Sequence, residues 1–306
     1  MTSPIRKHIA TFASYRLHDI VKGTSILKTL HFLRKSQYWP EEKMQEYRSE
    51  KLKKLVSYAY EKVPYYHDLF NSEHLKPSDI RSIDDIWKIP ILTKEQARKA
   101  NKAILSKDLS SMRVKRGKTG GTTGPPLTIY SGTQARSFVW GAFLRWYDWM
   151  DIHPGNYTVT FWGTPTVMSI NHIKRIKQKS AYWLLNNKIE NAFNLNEKTI
   201  PALIANINHR KPSFVRGYLS AMLQIGNFAE TNNIPLFAPK AISTTTETLL
   251  PHLRERLNST WGAPLFDQYG CGECESIAFE CDAHEGLHIN EEHVIIEAVD
   301  DNGITG

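Results

Sequence analysis

The stretch "Lys118-Thr-Gly-Gly-Thr-Thr-Gly-Pro-Pro126" packs three glycines and three threonines into six residues and then closes with two prolines. Glycine allows another group to approach the main chain closely, threonine supplies hydroxyl donors, and proline fixes the direction in which the chain leaves. The main-chain N–H groups of such a loop can surround an anion, and phosphate is the usual one. A polar surface turn explains the same residues, so the loop alone leaves both interpretations open.

The sequence patterns differ on the two sides of this loop. Residues 1 to about 110 are predicted to be mostly helical; within 51–60, a buried face is predicted for Leu52, Leu55, Val56 and Ala59. Beyond the loop, we predict strands at 127–130, 157–162, 213–218, 241–245 and 264–269, and helices at 134–150, 219–230 and 249–257. This alternation is typical of an α/β fold with a mostly parallel sheet covered by helices, in which ligands collect at the carboxyl ends of the strands.

The composition is that of a globular protein that favours anionic partners. Of its 306 residues, 41% are hydrophobic and 23% are charged, and 8 Trp, 13 Tyr and 12 Phe supply too much buryable surface for a disordered chain. The formal net charge of +8 suits nucleotides, nucleic acids or a membrane surface, and it suits simple solubility equally well. No apolar run of about 18 residues and no secretory leader occur, so we predict no membrane span and a cytoplasmic protein.

Two common nucleotide-binding motifs do not fit the loop. The Gly-Lys-Ser/Thr of a Walker A motif is absent, and no Gly-x-Gly-x-x-Gly follows a strand. The pattern Thr-Gly-Gly-Thr-Thr-Gly-x-Pro at 119–126 instead resembles the phosphate loop of the adenylate-forming superfamily, which includes acyl-CoA synthetases and luciferases. The resemblance implies that the phosphates of ATP or AMP are bound by Thr119, Gly120, Gly121, Thr122, Thr123 and Gly124. Leu127 stands where the family has a lysine, which weakens the positive charge of the loop.

Two further segments resemble parts of the same site. Tyr269-Gly-Cys-Gly-Glu273 is similar to the family's Tyr-Gly-x-Thr/Ser-Glu, although Gly272 replaces the hydroxyl residue. The resemblance places Tyr269 and Gly270 beside the adenine and makes Glu273 a ligand of Mg²⁺, which prefers carboxylate and phosphate oxygens. The segment around Glu247 resembles the part of the family site that packs on the other side of the adenine. An acid that stabilises a helix start is the alternative for this residue.

More segments narrow the resemblance to the phenylacetate–CoA ligase branch, which includes CapK-type proteins of capsular polysaccharide biosynthesis: 58–66, 84–94, 216–220 and 280–289. The similarity runs from about residue 45 to the C-terminus. It implies ATP-dependent, AMP-forming activation of a carboxylic acid to an acyl-adenylate, followed by thioester formation with CoA. It also implies a small-molecule acid as partner, with ATP or AMP, Mg²⁺ and CoA as cofactors. The nucleotide-binding α/β core would span 111–306, after a helical region at 1–110.

The three cysteines lie within eleven residues and are followed by two histidines. Such a cluster suits a reducing compartment and metal or active-site chemistry better than disulfides. Because Cys271 belongs to the segment that resembles the nucleotide site, the better candidates for a structural zinc site are Cys274, Cys281, His284 and His288. Some members of the branch are similar in carrying zinc there. Free thiols and surface histidines are the alternative.

Two other functions compete with an acid-activating enzyme. A non-catalytic relative would bind a nucleotide or a partner protein within a surface-polysaccharide system. A nucleic-acid binder would use the basic charge, but the basic residues at 174–179 form one short patch without interleaved aromatics, and we predict no nucleic-acid partner. Neither the identity of the acid nor the oligomeric state follows from the sequence.

The end of the chain predicts a strand at 294–299 and a hairpin turn at 300–303. Family members continue beyond such a point for roughly 100 residues, and their continuation carries the ribose-binding Asp, the hinge and the catalytic Lys. We therefore expect a C-terminally truncated chain without the catalytic C-terminal part. Such a chain would show little adenylation activity alone and would aggregate through an open strand edge.

Overall fold

The computed structural model describes residues 15–118, 127–163, 182–183 and 185–298. Its first third is helical and contains α1 (Leu17–Lys22), α2 (Ile26–Ser36), α3 (Glu41–Lys62), α4 (Pro64–Ser72) and α5 (Lys94–Ala100). Val63 is extended, with φ −117°, and separates α3 from α4 because the residue before a proline is pushed out of the helical region. Among the described helices, none has the length and apolar character needed to cross a membrane.

The face of α3 that was predicted to be buried is narrower than the sequence suggests. Leu52 and Val56 pack with Phe70 and Ile80 in one apolar cluster, which we call the α3–α4 cluster. Leu55 is 63% exposed, so the prediction of its burial is wrong. Leu55 lies about 100° around the helix from Val56, beyond the strip that this cluster covers.

A five-stranded parallel sheet forms the centre of the α/β part. Its strands are β3 (Thr158–Trp162), β4 (Asn187–Asn191), β5 (Phe214–Tyr218), β6 (Ala241–Thr245) and β7 (Leu265–Phe266), in the order β4-β3-β5-β6-β7. Before it in the chain, β1 (Lys115–Lys118) pairs antiparallel with β2 (Thr128–Ser131). The helices of this part are α6 (Thr133–Trp149), α7 (Ile200–Arg210), α8 (Leu219–Thr231) and α9 (Pro251–Trp261).

Strand alternation divides the sheet side chains between two layers of helices. One face carries Val159, Phe161, Val215, Ile242 and Leu265, which share a core with residues of α7, α8 and α9. The other face carries Phe214, Ala241 and Phe266, which share a core with residues of α6 and with Leu33 of α2. The predicted fold class, a mostly parallel sheet covered by helices after a helical region, is confirmed. A domain boundary near residue 110 stays a prediction.

A small antiparallel sheet follows, with β8 (Gln268–Tyr269), β9 (Ala278–Glu280) and β10 (Leu287–Ile289) in the order β10-β9-β8. The single strand predicted at 264–269 is wrong because the chain changes sheet at Asp267. The Asp267 N–H donates to the carboxylate of Glu280 at 2.6 Å. Residues 294–298 do not form the predicted strand, and Ile295 packs instead against the α3–α4 cluster.

Candidate active site

The carboxyl ends of the parallel strands lie at one edge of the sheet, where ligands bind in folds of this kind. This edge carries aromatic side chains: the ring centroid of Tyr218 lies 5.1 Å from that of Trp162 and 6.0 Å from that of Phe193. The Gly163 N–H donates to the Tyr218 hydroxyl at 3.1 Å. A Cβ at Gly163 would lie 3.0 Å from the same hydroxyl, so this close approach favours glycine. We call this region the sheet edge.

The predicted site residue Glu247 lies after β6 and contacts the start of α8. Its Oε1 accepts hydrogen bonds from the Ser220 hydroxyl at 2.8 Å and from the Ser220 N–H at 3.3 Å. A carboxylate in this position satisfies a free helix N–H and interacts favourably with the helix dipole. Glu247 therefore stabilises the start of a helix, and this helix is α8. Its role toward adenine stays a prediction.

Tyr269 ends β8, and Gly270 begins the loop between β8 and β9. The Tyr269 side chain is 58% exposed, which leaves its ring available to a ligand. A Cβ on Gly270 would come within 2.1 Å of the Glu275 carbonyl oxygen, so only glycine fits where the loop folds back on itself. The exposure of Tyr269 suits a ring that packs beside a planar base, and Gly270 is required by the tight loop itself.

Glu273, the predicted magnesium ligand, is exposed in the same loop. The part of the chain that the structure describes contains no group of three or more His, Cys, Asp or Glu side chains that could hold a metal ion. Magnesium is usually held by one or two carboxylates together with phosphate oxygens and water. A single exposed carboxylate therefore fits a magnesium ion that arrives with a nucleotide.

The thiols of Cys271 and Cys274 are hydrogen-bonded to each other. The bond from Cys274 is the main cause that lowers the pKa of Cys271 to about 6, and burial opposes it. The same bond, reinforced by burial, raises the pKa of Cys274. Cys271 is exposed and lies in the same loop as Glu273.

Three of the four residues predicted to bind zinc, Cys274, His284 and His288, make separate contacts. The Cys274 side chain forms a hydrogen bond with that of Cys271 in the same loop. The His284 Nδ1 lies 3.3 Å from a carboxylate oxygen of Glu280, and the His288 ring lies 5.4 Å from the ring of Trp149. Zinc binding stays a prediction, and within the described residues the arrangement does not support it.

Sequence reasoning named the segment at 216–220 but gave no site role to its charged residue, Arg216. Arg216 is the central residue of β5, and its guanidinium carbon lies 4.8 Å from the ring centroid of Phe143 and 5.3 Å from that of Trp162. Its Nη2 donates to the Gln268 Oε1 at 3.0 Å. A signal was available, because strand alternation places Arg216 on the same face as Phe214, where a charge is unusual.

The predicted phosphate loop at 119–124 lies outside the described residues, and so does the basic patch at 174–179. The strands on either side of the loop are described. Lys118, the last residue of β1, pairs with Thr128, the first residue of β2. The two ends of the loop are therefore adjacent, while the positions of its phosphate-binding residues stay predictions.

Two known proteins are similar to this chain in sequence. No protein-family profile matches the chain. The protein CapK of Staphylococcus aureus is 24% identical over 236 residues, which cover 74% of this chain and 50% of CapK. A phenylacetate–coenzyme A ligase of Thermus thermophilus is 30% identical over 107 residues, which cover 32% of this chain and 24% of the ligase.

A solved structure shares the fold. The crystal structure of 2-hydroxyisobutyryl-CoA ligase, in complex with 2-HIB-AMP and CoA, matches with a TM-score of 0.65 at 19% identity, over 81% of this chain and 54% of that one. A second structure of this ligase, in complex with 2-HIB-AMP, matches with a TM-score of 0.64 at 17% identity. The chain thus spans about half the length of CapK and of this ligase.

The chain shares the fold of this acyl-CoA ligase. In sequence it is similar to CapK and to a phenylacetate–CoA ligase, and these similarities support the resemblance to the adenylate-forming superfamily that its motifs predicted.

Proposed function

We propose that the chain takes part in the ATP-dependent activation of a carboxylic acid to an acyl-adenylate, with transfer of the acyl group to CoA. The observation that supports it most is the gathering of three distant segments at the sheet edge. Ser220 contacts Glu247 at 2.8 Å, and Arg216 contacts Gln268, the neighbour of Tyr269, at 3.0 Å. The segments of Glu247 and Tyr269 resemble the family's nucleotide site, the segment at 216–220 resembles the phenylacetate–CoA ligase branch, and the structural neighbour was crystallised with 2-HIB-AMP and CoA.

The proposed reaction needs no protein nucleophile. A carboxylate oxygen of the acid attacks the α-phosphorus of ATP, the bond from this phosphorus to the bridging oxygen breaks, and pyrophosphate leaves. In the second step the CoA thiol loses its proton to water, its sulfur attacks the acyl carbon, and AMP leaves with the electron pair of the C–O bond. The protein would hold the reactants in line and offset the charge that develops on the phosphates.

Each predicted site residue has a part in this proposal. Tyr269 would offer its exposed ring to the adenine, and Gly270 would let the loop fold closely beside it. Glu273 would hold magnesium, which neutralises phosphate charge when it is bound. The loop at 119–124 would hold the departing pyrophosphate.

Exchange of labelled pyrophosphate into ATP, measured with a panel of carboxylic acids, tests this proposal. We expect exchange that is weak in the chain alone and that depends on one class of acid. Glu273→Gln should weaken Mg²⁺-dependent ATP binding about tenfold or more and leave metal-free binding unchanged. Glu275→Gln, in the same exposed loop, is the matched control and should bind ATP as the unchanged protein does. Absence of both exchange and ATP binding would overturn the proposal.

A non-catalytic relative is the second candidate. Two departures from the family pattern favour it, since Leu127 replaces a lysine and Gly272 replaces a hydroxyl residue. Such a protein would bind ATP without exchanging pyrophosphate, so an ATP-binding titration beside the exchange assay separates the two candidates. A cytoplasmic location and a role in surface polysaccharide biosynthesis belong to the proposal through the similarity to CapK.

A further inference from the structure

The guanidinium of Arg216 lies over two aromatic rings, one of which is that of Trp162 at the sheet edge. Phe143 of α6 and Trp162 of β3 lie 4.8 Å and 5.3 Å from its central carbon, as cation–π contacts. Such contacts hold the plane of the group in place and leave the N–H groups around its rim free for acceptors. One of these groups donates to the amide oxygen of Gln268.

Some of the other arginines pair with a carboxylate of the fold. Arg145 pairs with Glu292 at 2.8 Å, and Arg254 pairs with Glu280 at 3.0 Å. In the described ranges of the chain, no carboxylate forms an ion pair with Arg216, whose described hydrogen-bond partner is a neutral amide. The charge of Arg216 is therefore left for a group that the described residues do not supply.

The donors around Arg216 point to an acceptor. The Arg216 Nε and the Gln268 Nε2 are both buried, and neither has a hydrogen-bond partner within the described structure. A buried donor without a partner is costly, so such groups usually serve a water molecule, an ion or a ligand. The Arg145 Nε is unpartnered as well, so this criterion alone does not distinguish Arg216. Arg216 differs in combining free donors with an uncompensated charge, and a water molecule would satisfy the donors but not the charge.

We propose that Arg216 and Gln268 bind a second carboxylate of the acid that the chain activates, so that its substrates are dicarboxylic acids. This inference rests on the proposed function, because it names the class of acid for that reaction. The carboxylate that attacks ATP is a poor candidate for Arg216. A strong ion pair with that group in the ground state would be lost during the attack and would raise the barrier.

The test compares acyl-adenylate analogues that differ only in the terminal group. Two pairs of acyl-sulfamoyl adenosines are titrated calorimetrically into the purified chain: succinyl against butanoyl, and 4-carboxybenzoyl against benzoyl. In at least one pair, the analogue with the second carboxylate should bind about tenfold or more tightly, the size of effect expected for a charge-assisted hydrogen bond. A binding measurement, unlike a turnover measurement, reports on the contacts of Arg216 and Gln268 without the thioester-forming step.

Variants assign the discrimination to Arg216. Arg216→Met should abolish the preference by weakening the carboxylate analogue alone, and Gln268→Leu should reduce the preference. Arg34→Met removes an exposed cation that pairs with Asp148, and it should leave the preference unchanged. It therefore controls for net charge.

The outcomes separate this inference from the proposed function. Binding of all four analogues without preference would overturn the inference alone, and so would equal weakening of both members of a pair in Arg216→Met. The latter result would assign Arg216 to the nucleotide or to the reacting carboxylate. Absence of binding by every analogue would overturn the proposed function and, with it, the inference.

Discussion

Arg145 and Arg216 both contact aromatic rings of α6, but their hydrogen-bond partners differ. Arg145 is 4% exposed and donates to Glu292 at 2.8 Å, to the Leu33 carbonyl at 3.2 Å and to Asn290. Arg216, at the sheet edge, donates to the neutral amide of Gln268 and has no carboxylate partner among the described residues. We call Ser36, Arg145, Asn290 and Glu292 the Arg145 cluster.

The charge of Arg145 is paired with a carboxylate and stabilises the fold. The charge of Arg216 has no carboxylate partner among the described residues. The Arg145 cluster joins α2 and α6 to the segment after β10, and Ser36 adds a further hydrogen bond to Glu292. A buried charge needs such partners because the cost of removing it from water is large. The open charge at Arg216 lies at the edge where folds of this kind bind ligands. Stability and ligand binding are therefore expected to respond to different residues.

The largest effect on stability is expected from breaking the Arg145 cluster. Glu292→Leu leaves a buried guanidinium without its anion and should lower the free energy of unfolding by about 3–5 kcal/mol. Urea unfolding, followed by tryptophan fluorescence, measures the loss. The control combines Arg145→Met with Glu292→Leu, because replacing both charged groups by apolar ones is often nearly neutral. Equal losses in the single and double variants would show that packing, and not charge, holds this cluster.

A smaller effect is expected at the sheet edge from Gly270→Ala. The added Cβ would lie 2.1 Å from the Glu275 carbonyl oxygen, so the loop must move, at a cost of about 1–3 kcal/mol. The movement should displace Tyr269 and weaken ATP binding in a calorimetric titration. Gly132→Ala is the control, because an added Cβ there meets no atom within 4 Å. Unchanged stability and ATP binding in Gly270→Ala would show that the loop adjusts freely.

The next effect is a pH dependence of the free energy of unfolding, and it is assigned to His293, which follows Glu292 of the Arg145 cluster. The His293 ring stacks on Phe138 at 5.3 Å, and burial lowers the pKa of His293, although the charge of Glu292 opposes this shift. Between the lowered pKa and the unfolded value of about 6.5, the unfolded chain binds a proton that the folded chain does not. The stabilising contribution is therefore complete above about pH 6.5 and is lost as the pH falls through this window. Its slope is at most about 1.4 kcal/mol per pH unit.

His293→Phe provides the measurement for this pH dependence. The variant keeps an aromatic ring against Phe138 and removes the titrating group. Urea unfolding at a series of pH values should show a steeper loss of stability below about pH 6.5 in the unchanged protein than in the variant. Parallel curves for the two proteins would contradict the assignment to His293.

The sequence predicted the fold best where local patterns decide the structure. β6 has the predicted bounds, and α6 differs from its predicted bounds by one residue at each end. The predictions failed where a distant group intervened. The Asp267 N–H donates to the Glu280 carboxylate at the point where the predicted strand at 264–269 is divided between two sheets. Ile295 packs against the α3–α4 cluster instead of lying in the strand predicted at 294–299.

The candidate site was predictable in its segments but not in its pairings. The contact between Arg216 and Gln268 joins residues 52 positions apart, and that between Arg145 and Glu292 spans 147 positions, so no local pattern reveals either. The zinc prediction stays untested, and it depends on more than spacing. Cysteine and histidine at short spacing resemble a ligand set, but β10 pairs His288 with Phe279 of β9. Strand pairing, and not spacing, decides where this side chain lies.

The smallest change in stability is expected from Arg216→Met, and it decides the comparison between the two arginines. Methionine retains apolar contact with Phe143 and Trp162, and no carboxylate in the described segments loses a partner. The change removes one hydrogen bond to Gln268, worth about 0.5–1.5 kcal/mol, and relieves the cost of partly burying a charge. We expect a free energy of unfolding within about 1 kcal/mol of the unchanged protein, measured under the conditions used for Glu292→Leu. A loss of about 3 kcal/mol or more would make Arg216 a structural residue like Arg145. A small loss, together with the loss of preference between the paired analogues, would show that this charge is kept for a ligand.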